Sequence, residues 1–265
     1  MSLKNDLKGI IPDDVLHHLS NHFEVIGDIA ILSLRPELND YQEQIADALL
    51  SRRKNICTVL NKVSKIEGDH RTARYEILAG TKTLTCHHEF GFRYRLDIGK
   101  VFFNTRLVYE RKRVNDQVRP DELVLVPFCG VGPYVIPAAA CHAKVVAIEK
   151  NPDACHWLSE NVWRNQVAKN ICIINGNAFD IRPVTSEKFD RAIIPTPYGM
   201  DPILDVTAPL VKKNGMIHFY TFKNRHQVPL LVEEYETKGL GVLFFRSCGN
   251  VAPGVSRWVF DLRKM

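Results

Sequence analysis

No stretch of the 265 residues is apolar for long enough to cross a bilayer, and the N-terminal MSLKNDLKGI has no hydrophobic signal-peptide core. The sequence therefore reads as cytosolic, with no membrane partner. It also has no C-x-x-C pair. The seven cysteines (Cys57, Cys86, Cys129, Cys141, Cys155, Cys172, Cys248) are odd in number and scattered, which excludes a disulfide framework and a zinc knuckle and fits a reducing compartment. Cys-His neighbours occur at Cys86-His87-His88, Cys141-His142 and Cys155-His156. Adjacent residues on a strand or helix point different ways and chelate poorly, so no metal is expected. Repeats and low-complexity tracts are absent as well. What is present, 45% hydrophobic and 25% charged residues, is ordinary for a globular chain with enough length for one large core or two small ones.

The net charge of +5 is unevenly placed. From Ser51 to Arg113 there are fifteen Lys/Arg against six Asp/Glu, a local excess of +9 that leaves about −4 for the rest. Such a segment suits a polyanionic partner, nucleic acid first, and equally a solvated basic face.

Along the chain, Pro12 to Leu19 reads as a short helix, Asp28 to Leu34 as a strand and Tyr41 to Arg53 as a helix. CTVLNKV, RYEILAG, KTLTCHHEF and FRYRLDIGKVFF are short β-rich runs, which gives a small α+β domain over 1–104. A helix follows over Thr105 to Val118, with Leu107, Val114 and Val118 on one stripe. Beyond it the pattern changes. ELVLVPF, KVVAIE, ICIIN, RAIIP and MIHFYTF are apolar runs separated by helical segments, the signature of a parallel sheet covered on both faces. LGVLFFRSCG and SRWVFDLRK close the chain as an antiparallel hairpin at one edge. This α/β order over 105–265 resembles the Rossmann-like seven-stranded fold of class I S-adenosylmethionine-dependent methyltransferases.

Gly130-Val131-Gly132 stands at the exit of the first strand of that sheet, where glycine lets the backbone turn tightly and approach a ligand. G-x-G alone fits dinucleotide sites equally. The next strand ends in Glu149, placed to bind ribose hydroxyls or to be an exposed strand-end acid. No third glycine follows to seat a pyrophosphate; the loop runs into Pro133-Tyr134. The third strand ends at Asn177-Ala178, where an amide can offer donor and acceptor to an adenine, or simply make a turn. S-adenosylmethionine is thus the expected cofactor, with Phe128, Gly130, Gly132, Glu149, Lys150, Asn177 and Ala178 as its candidate contacts. The fourth strand runs into IIPTPYG, two prolines one residue apart at the exit of a buried strand.

HHEFGFRYRLDIGKVFFNTRLVYERKRV, FCGVGPYVIP, VVAIEKNPDACHWLSENVWRNQV, FDRAIIPTP, GMIHFYTF and APGVSRWVFDLR occur together and in this order. From about Ile11 to Arg263 the chain resembles the archaeal and eukaryotic type of tRNA guanine-N1-methyltransferase, which acts on the guanosine just 3′ of the anticodon. The most specific piece is R-L-x-x-E-R-x-R, here Arg106 to Arg113. The resemblance implies tRNA as partner, Glu110 as the base that removes the N1 proton, and Arg71 as the cation that stabilises charge on O6. It also implies substrate contacts at Arg106 and Arg111, and at Pro195, Pro197 and Tyr198 after the fourth strand. By spacing alone, Arg106, Glu110 and Arg113 also fit a surface salt-bridge ladder. A monomer is expected.

A near relative, the wybutosine-pathway aminocarboxypropyltransferase, transfers the cofactor's amino-acid arm instead of its methyl. Arg106 and Gly132-Pro133 are the methyltransferase forms at two positions where that relative commonly differs. A non-catalytic RNA-binding relative is a further alternative. A cytosine-C5 enzyme is disfavoured because no cysteine accompanies the strand-four prolines. Three features depart from the resemblance. Val126-Pro127 stand where an aspartate is usual, Pro195 stands where an asparagine is common, and the tRNA-elbow domain of many members has no room before Ile11.

Overall fold

A computed structural model describes residues 3–64, 72–181 and 188–265, and the chain divides into two compact units, Met1–Thr105 and Arg106–Met265. In the first unit two very short helices, α1 (Leu3–Asp6) and α2 (Asp13–Leu16), precede β1 (Glu24–Ile26) and β2 (Ile29–Leu32). Then come α3 (Gln42–Arg52), β3 (Thr58–Lys62), β4 (Tyr75–Ala79), β5 (Leu84–Glu89) and β6 (Phe92–Asp97). The helix expected over Pro12 to Leu19 is cut to one turn, because the His18 and Leu19 amides bond three residues back and tighten the chain off the helix. Strand β1 has no counterpart in the sequence reading. It pairs antiparallel with β2 across the two-residue turn Gly27-Asp28, with Gly27 at φ +59°. β2 and β3 are parallel with α3 as their crossover, and β4 closes a four-stranded mixed sheet. Ile45, Ala46 and Leu49 of α3 bury its inner face against Leu7, Leu38 and Val59.

The second unit contains α4 (Val108–Asn115), β7 (Leu123–Pro127), α5 (Val135–Ala140), β8 (Lys144–Glu149), α6 (Pro152–Arg164), β9 (Ile171–Asn175) and β10 (Phe189–Ile194). It ends with α7 (Ile203–Thr207), β11 (Val211–Asn224), α8 (Val228–Thr237), β12 (Leu240–Ala252) and β13 (Val255–Lys264). The seven strands lie in the order β12-β13-β11-β10-β7-β8-β9. β7 to β11 are parallel, while β13 runs antiparallel between β11 and β12, as the Rossmann-like class I reading expects. The strands read as continuous apolar runs because both faces are covered. Leu125, Ala192, Ile194, Ile217 and Phe260 are all below 2% exposed, and each large aliphatic side chain so buried contributes about 1.5–3 kcal/mol. α6 begins where Asn151 caps the Asp153 amide at 3.0 Å with Pro152 in the first turn, and it buries Ala154, Leu158, Asn161 and Val162 along one stripe.

The order of the strands positions the site. The chain moves outward from β7 through β8 to β9, then returns to β10 on the other side of β7. The reversal places the loops after β7 and β10 side by side at the carboxyl edge, the usual ligand crevice of an open α/β sheet.

Candidate functional site

The loop after β7 is wound by three residues in the left-handed region, Phe128 (φ +55°), Gly130 (φ +56°) and Gly132 (φ +95°). A side chain on Gly132 would meet Leu158 Cδ1 at 2.5 Å, so glycine is needed there for packing. Gly130 has nothing within 4 Å of where a Cβ would stand, so its backbone faces open space. Glu149, at the end of β8, accepts the Gly130 amide at 2.8 Å and the Asn151 amide at 2.9 Å, one on each carboxylate oxygen. It therefore clamps the glycine loop to the start of α6, and each oxygen keeps lone-pair capacity for a ligand hydroxyl. Lys150 follows on the surface.

Asn177 is exposed and Ala178 is buried, at the end of β9. The Asn177 carbonyl oxygen accepts the Phe179 amide at 3.2 Å, so it is the amide NH2 that faces outward. The rings of Phe179 and Phe128 meet edge to face at 6.2 Å, linking the β9 and β7 loops. These residues fit a bound nucleoside with ribose hydroxyls at Glu149 and a base beside Asn177 and Ala178.

After β10, the two prolines stand in a turn whose flanking carbonyls are engaged. The Ile194 carbonyl accepts both the Thr196 amide (2.8 Å) and its hydroxyl (3.1 Å), and the Pro197 carbonyl accepts the Met200 amide (3.1 Å). The prolines thus fix a tight turn around buried Thr196 and send Tyr198 outward, 66% exposed, its ring 5.5 Å from that of Phe222.

Arg106 is exposed in a 3-10 turn over Thr105–Leu107, and Glu110 and Arg111 lie on α4, both buried. The surface-ladder alternative fails, because Glu110 is only 3% exposed. Its carboxylate accepts Arg113 Nε at 3.1 Å and Nη2 at 2.7 Å, the Tyr220 hydroxyl at 3.0 Å, and the guanidinium of Arg246 on β12. Arg71 lies outside the described residues. Among those described, no group of three or more His, Cys, Asp or Glu is placed to hold a metal ion, and no helix is long and apolar enough to cross a membrane.

The residues around Glu110 belong to a buried polar chain that sequence reading missed. Glu122 receives Arg191 Nε at 2.8 Å, Arg191 Nη1 donates to His218 Nε2 at 2.6 Å, and His218 Nδ1 lies 2.7 Å from Asp261. Arg113 then joins Asp261, to which its Nη1 donates at 2.6 Å, to Glu110, to which its Nη2 donates at 2.7 Å. A guanidinium can only donate, so His218 Nε2 accepts and Nδ1–H points at Asp261. The available signal was the spacing of His218 and Tyr220 at alternate positions of an otherwise apolar strand, which puts both polar groups on one covered face.

Burial holds the His218 pKa below its usual value, against the pull of Asp261 and with the help of Arg191 and Arg113. Burial alone would raise the Asp261 carboxyl, but His218 and Arg113 more than offset it and hold it well below the carboxylate range. Both shifts act in one direction. The unfolded chain takes up a proton at residue 218 near pH 6.5 that the folded chain refuses, so this stability is full above that pH and falls below it. The Asp261 share is lost only below about pH 3.9. Thermal unfolding followed by circular dichroism is expected to show a midpoint that declines below about pH 6.5, and His218→Gln is expected to flatten that decline.

The sequence pattern described as "TRM5/TYW2 methyltransferase domain" matches residues 85–236, and that of the "TYW2 N-terminal domain" matches residues 3–83. The tRNA (guanine(37)-N(1))-methyltransferase Trm5b of Pyrococcus abyssi is 36% identical over 80% of this chain, which spans 63% of that relative's length. The tRNA(Phe) (4-demethylwyosine(37)-C(7)) aminocarboxypropyltransferase of Pyrococcus horikoshii is 32% identical over 96% of this chain and 92% of its own. The tRNA 4-demethylwyosine(37)-methyltransferase Taw21 of Saccharolobus solfataricus is 34% identical over 91% and 92%. Among solved structures, aTrm5 in complex with tRNALeu superposes with a TM-score of 0.89 at 27% identity, over 100% of this chain and 78% of that one. With a glycine loop clamped by Glu149 at the switch point of a seven-stranded sheet, and with the family pattern covering more than half of its length, the chain belongs to the TRM5/TYW2 methyltransferase-domain family.

Proposed function

We propose that this protein methylates N1 of guanosine 37 in tRNA, with S-adenosylmethionine as the methyl donor. The observation that carries the reading is the convergence of the Gly130 loop, Glu149 and the Pro195–Tyr198 turn at one sheet edge, with the buried carboxylate of Glu110 held by Tyr220 from β11. Trm5b at 36% identity supports it, as do Arg106 and Gly132-Pro133, the methyltransferase forms of two positions.

Glu149 holds the ribose hydroxyls, Asn177 and Ala178 flank the adenine, and Phe128 and Lys150 complete the seat. S-adenosylmethionine supplies the electrophilic methyl group. Guanine N1 becomes a nucleophile only as its proton leaves, and Glu110 accepts that proton. To do so it must release one donor, and Arg246, with 44% of its side chain exposed, is the partner able to swing away. Arg71 balances the charge that develops on O6. Arg106 and Arg111 contact the RNA, while Pro195, Pro197 and Tyr198 border the base, which leaves its stack to reach them.

A second reading is favoured by one observation. The two relatives matched over 92% of their length both act on 4-demethylwyosine at position 37, and the N-terminal pattern is that of TYW2. Nucleoside mass analysis separates the two readings, with unmodified transcript and 4-demethylwyosine-bearing tRNA as alternative substrates.

A further inference from the structure

Arg257 on β13 is a largely buried cation, 9% exposed. Among the described residues no carboxylate pairs with it and no hydrogen bond to its guanidinium is formed; its Cζ lies 5.0 Å from the centre of the Phe222 ring. The charged and titratable groups around it are Tyr134, Tyr220, Cys248 and a second buried cation, Arg111. Burial makes its charge harder to hold, and of these neighbours Arg111 does so as well. Beside it the hydroxyl of Tyr134 is sealed from solvent and lies against that of Tyr220. A largely buried arginine with no carboxylate beside it is an expensive arrangement for a free protein to keep. The Arg257 nitrogens are not among the sealed polar atoms that lack a partner, so the guanidinium tip reaches solvent.

Its place in the sheet says which ligand it meets. Arg257 is paired with Phe222 across β11 and β13, and Phe222 carries Tyr198 on its ring. It therefore lies on the far side of β10 from the glycine loop. Three strand spacings, roughly 14 Å, separate it from β7, while the target-base side of the crevice is adjacent. The turn after β10 lies nearer, since its Tyr198 ring meets Phe222, the cross-strand partner of Arg257.

We propose that Arg257 is the seat of an RNA backbone phosphate of the target nucleotide or its immediate neighbour. This rests on the reading of the protein as an RNA-modifying enzyme. A phosphate there satisfies the guanidinium by a charge-assisted pair.

The test compares wild type, Arg257→Met and Arg257→Lys for binding of a tRNA transcript across a salt series, with adenosylmethionine and methylthioadenosine affinities measured by calorimetry. Arg257→Met is expected to bind tRNA about tenfold more weakly, with the salt slope shallower by about 0.7, and Arg257→Lys to keep most of the slope. Affinity for both adenosine ligands stays at the wild-type value. Because an uncompensated cation is removed, Arg257→Met is also expected to melt at or above the wild-type temperature, whereas a structural arginine would be missed on heating. Unchanged tRNA affinity and slope in Arg257→Met overturn the proposal. So does a loss of affinity for adenosylmethionine but not for methylthioadenosine, which would give the arginine to the cofactor carboxylate. If wild type itself fails to bind tRNA, the functional reading falls; if only the variant comparison fails, the phosphate seat falls alone.

Discussion

Glu110→Gln is expected to bind S-adenosylmethionine like wild type and to transfer methyl roughly a hundred to ten thousand times more slowly. Glutamine fills the same volume and keeps an oxygen for the Tyr220 hydroxyl, which lies 3.0 Å from the carboxylate. It cannot take a proton from guanine N1. The cofactor seat proposed here uses the β7, β8 and β9 loops and not Glu110, so the loss is expected in kcat with the cofactor KM unchanged. Single-turnover methylation of a transcript measures this directly. Turnover at the wild-type rate would make Glu110 an anchor for Arg113 and Arg246 and remove it from the chemistry.

The largest effect on stability is expected from Arg113→Met. Arg113 holds two buried carboxylates at once, Glu110 at 2.7 Å and Asp261 at 2.6 Å, and its guanidinium lies over the Phe244 ring at 4.9 Å. Those pairs keep Arg113 more firmly protonated than an ordinary guanidinium, although burial opposes them. Methionine keeps much of the packing and leaves the carboxylates facing each other without their shared cation. Arg246 still reaches Glu110 and His218 still reaches Asp261, and Arg113 is 23% exposed, so the cost belongs at the lower end of the range for breaking a buried pair, about 3 kcal/mol. Urea unfolding checks the magnitude. Adding Asp261→Asn to Arg113→Met should recover part of it, because the second change neutralises one stranded charge. A loss below about 1 kcal/mol would mean that the pair is no stronger than a surface ion pair.

Much of the second unit was legible because its strands are apolar runs, most of them in the sheet centre covered on both faces. Lys144–Glu149 and Ile171–Asn175 match the apolar runs residue for residue, since each run is bounded by polar or turn residues. β11 was read as Met216 to Phe222 but begins at Val211. Its first half is Lys212-Lys213-Asn214, exposed, with Asn214 at φ +65°, and carries no apolar signal to announce a strand. β1 was missed because three residues are too few to show alternation, although Gly27-Asp28 is a hairpin turn by composition. At the site, Gly130, Gly132 and Glu149 could be found because one strand-loop-helix segment and the end of the next strand bring them together. The setting of Glu110 could not. Tyr220, Arg246 and Asp261 come from three strands more than a hundred residues away, and only the insertion of β13 between β11 and β12 joins them. Arg257 escaped for the same reason, since in sequence it is one more charged residue on the final strand.

The reading stands or falls on where the methyl group goes. Incubate the protein with S-adenosylmethionine and an unmodified tRNA transcript that carries guanosine 37, digest the RNA, and identify the modified nucleoside and its position by mass spectrometry. The account predicts one added methyl, on N1 of guanosine 37 and nowhere else. An unmodified transcript, with methyl or an aminocarboxypropyl group added only when 4-demethylwyosine occupies position 37, would contradict it and assign the chain to the later substrate.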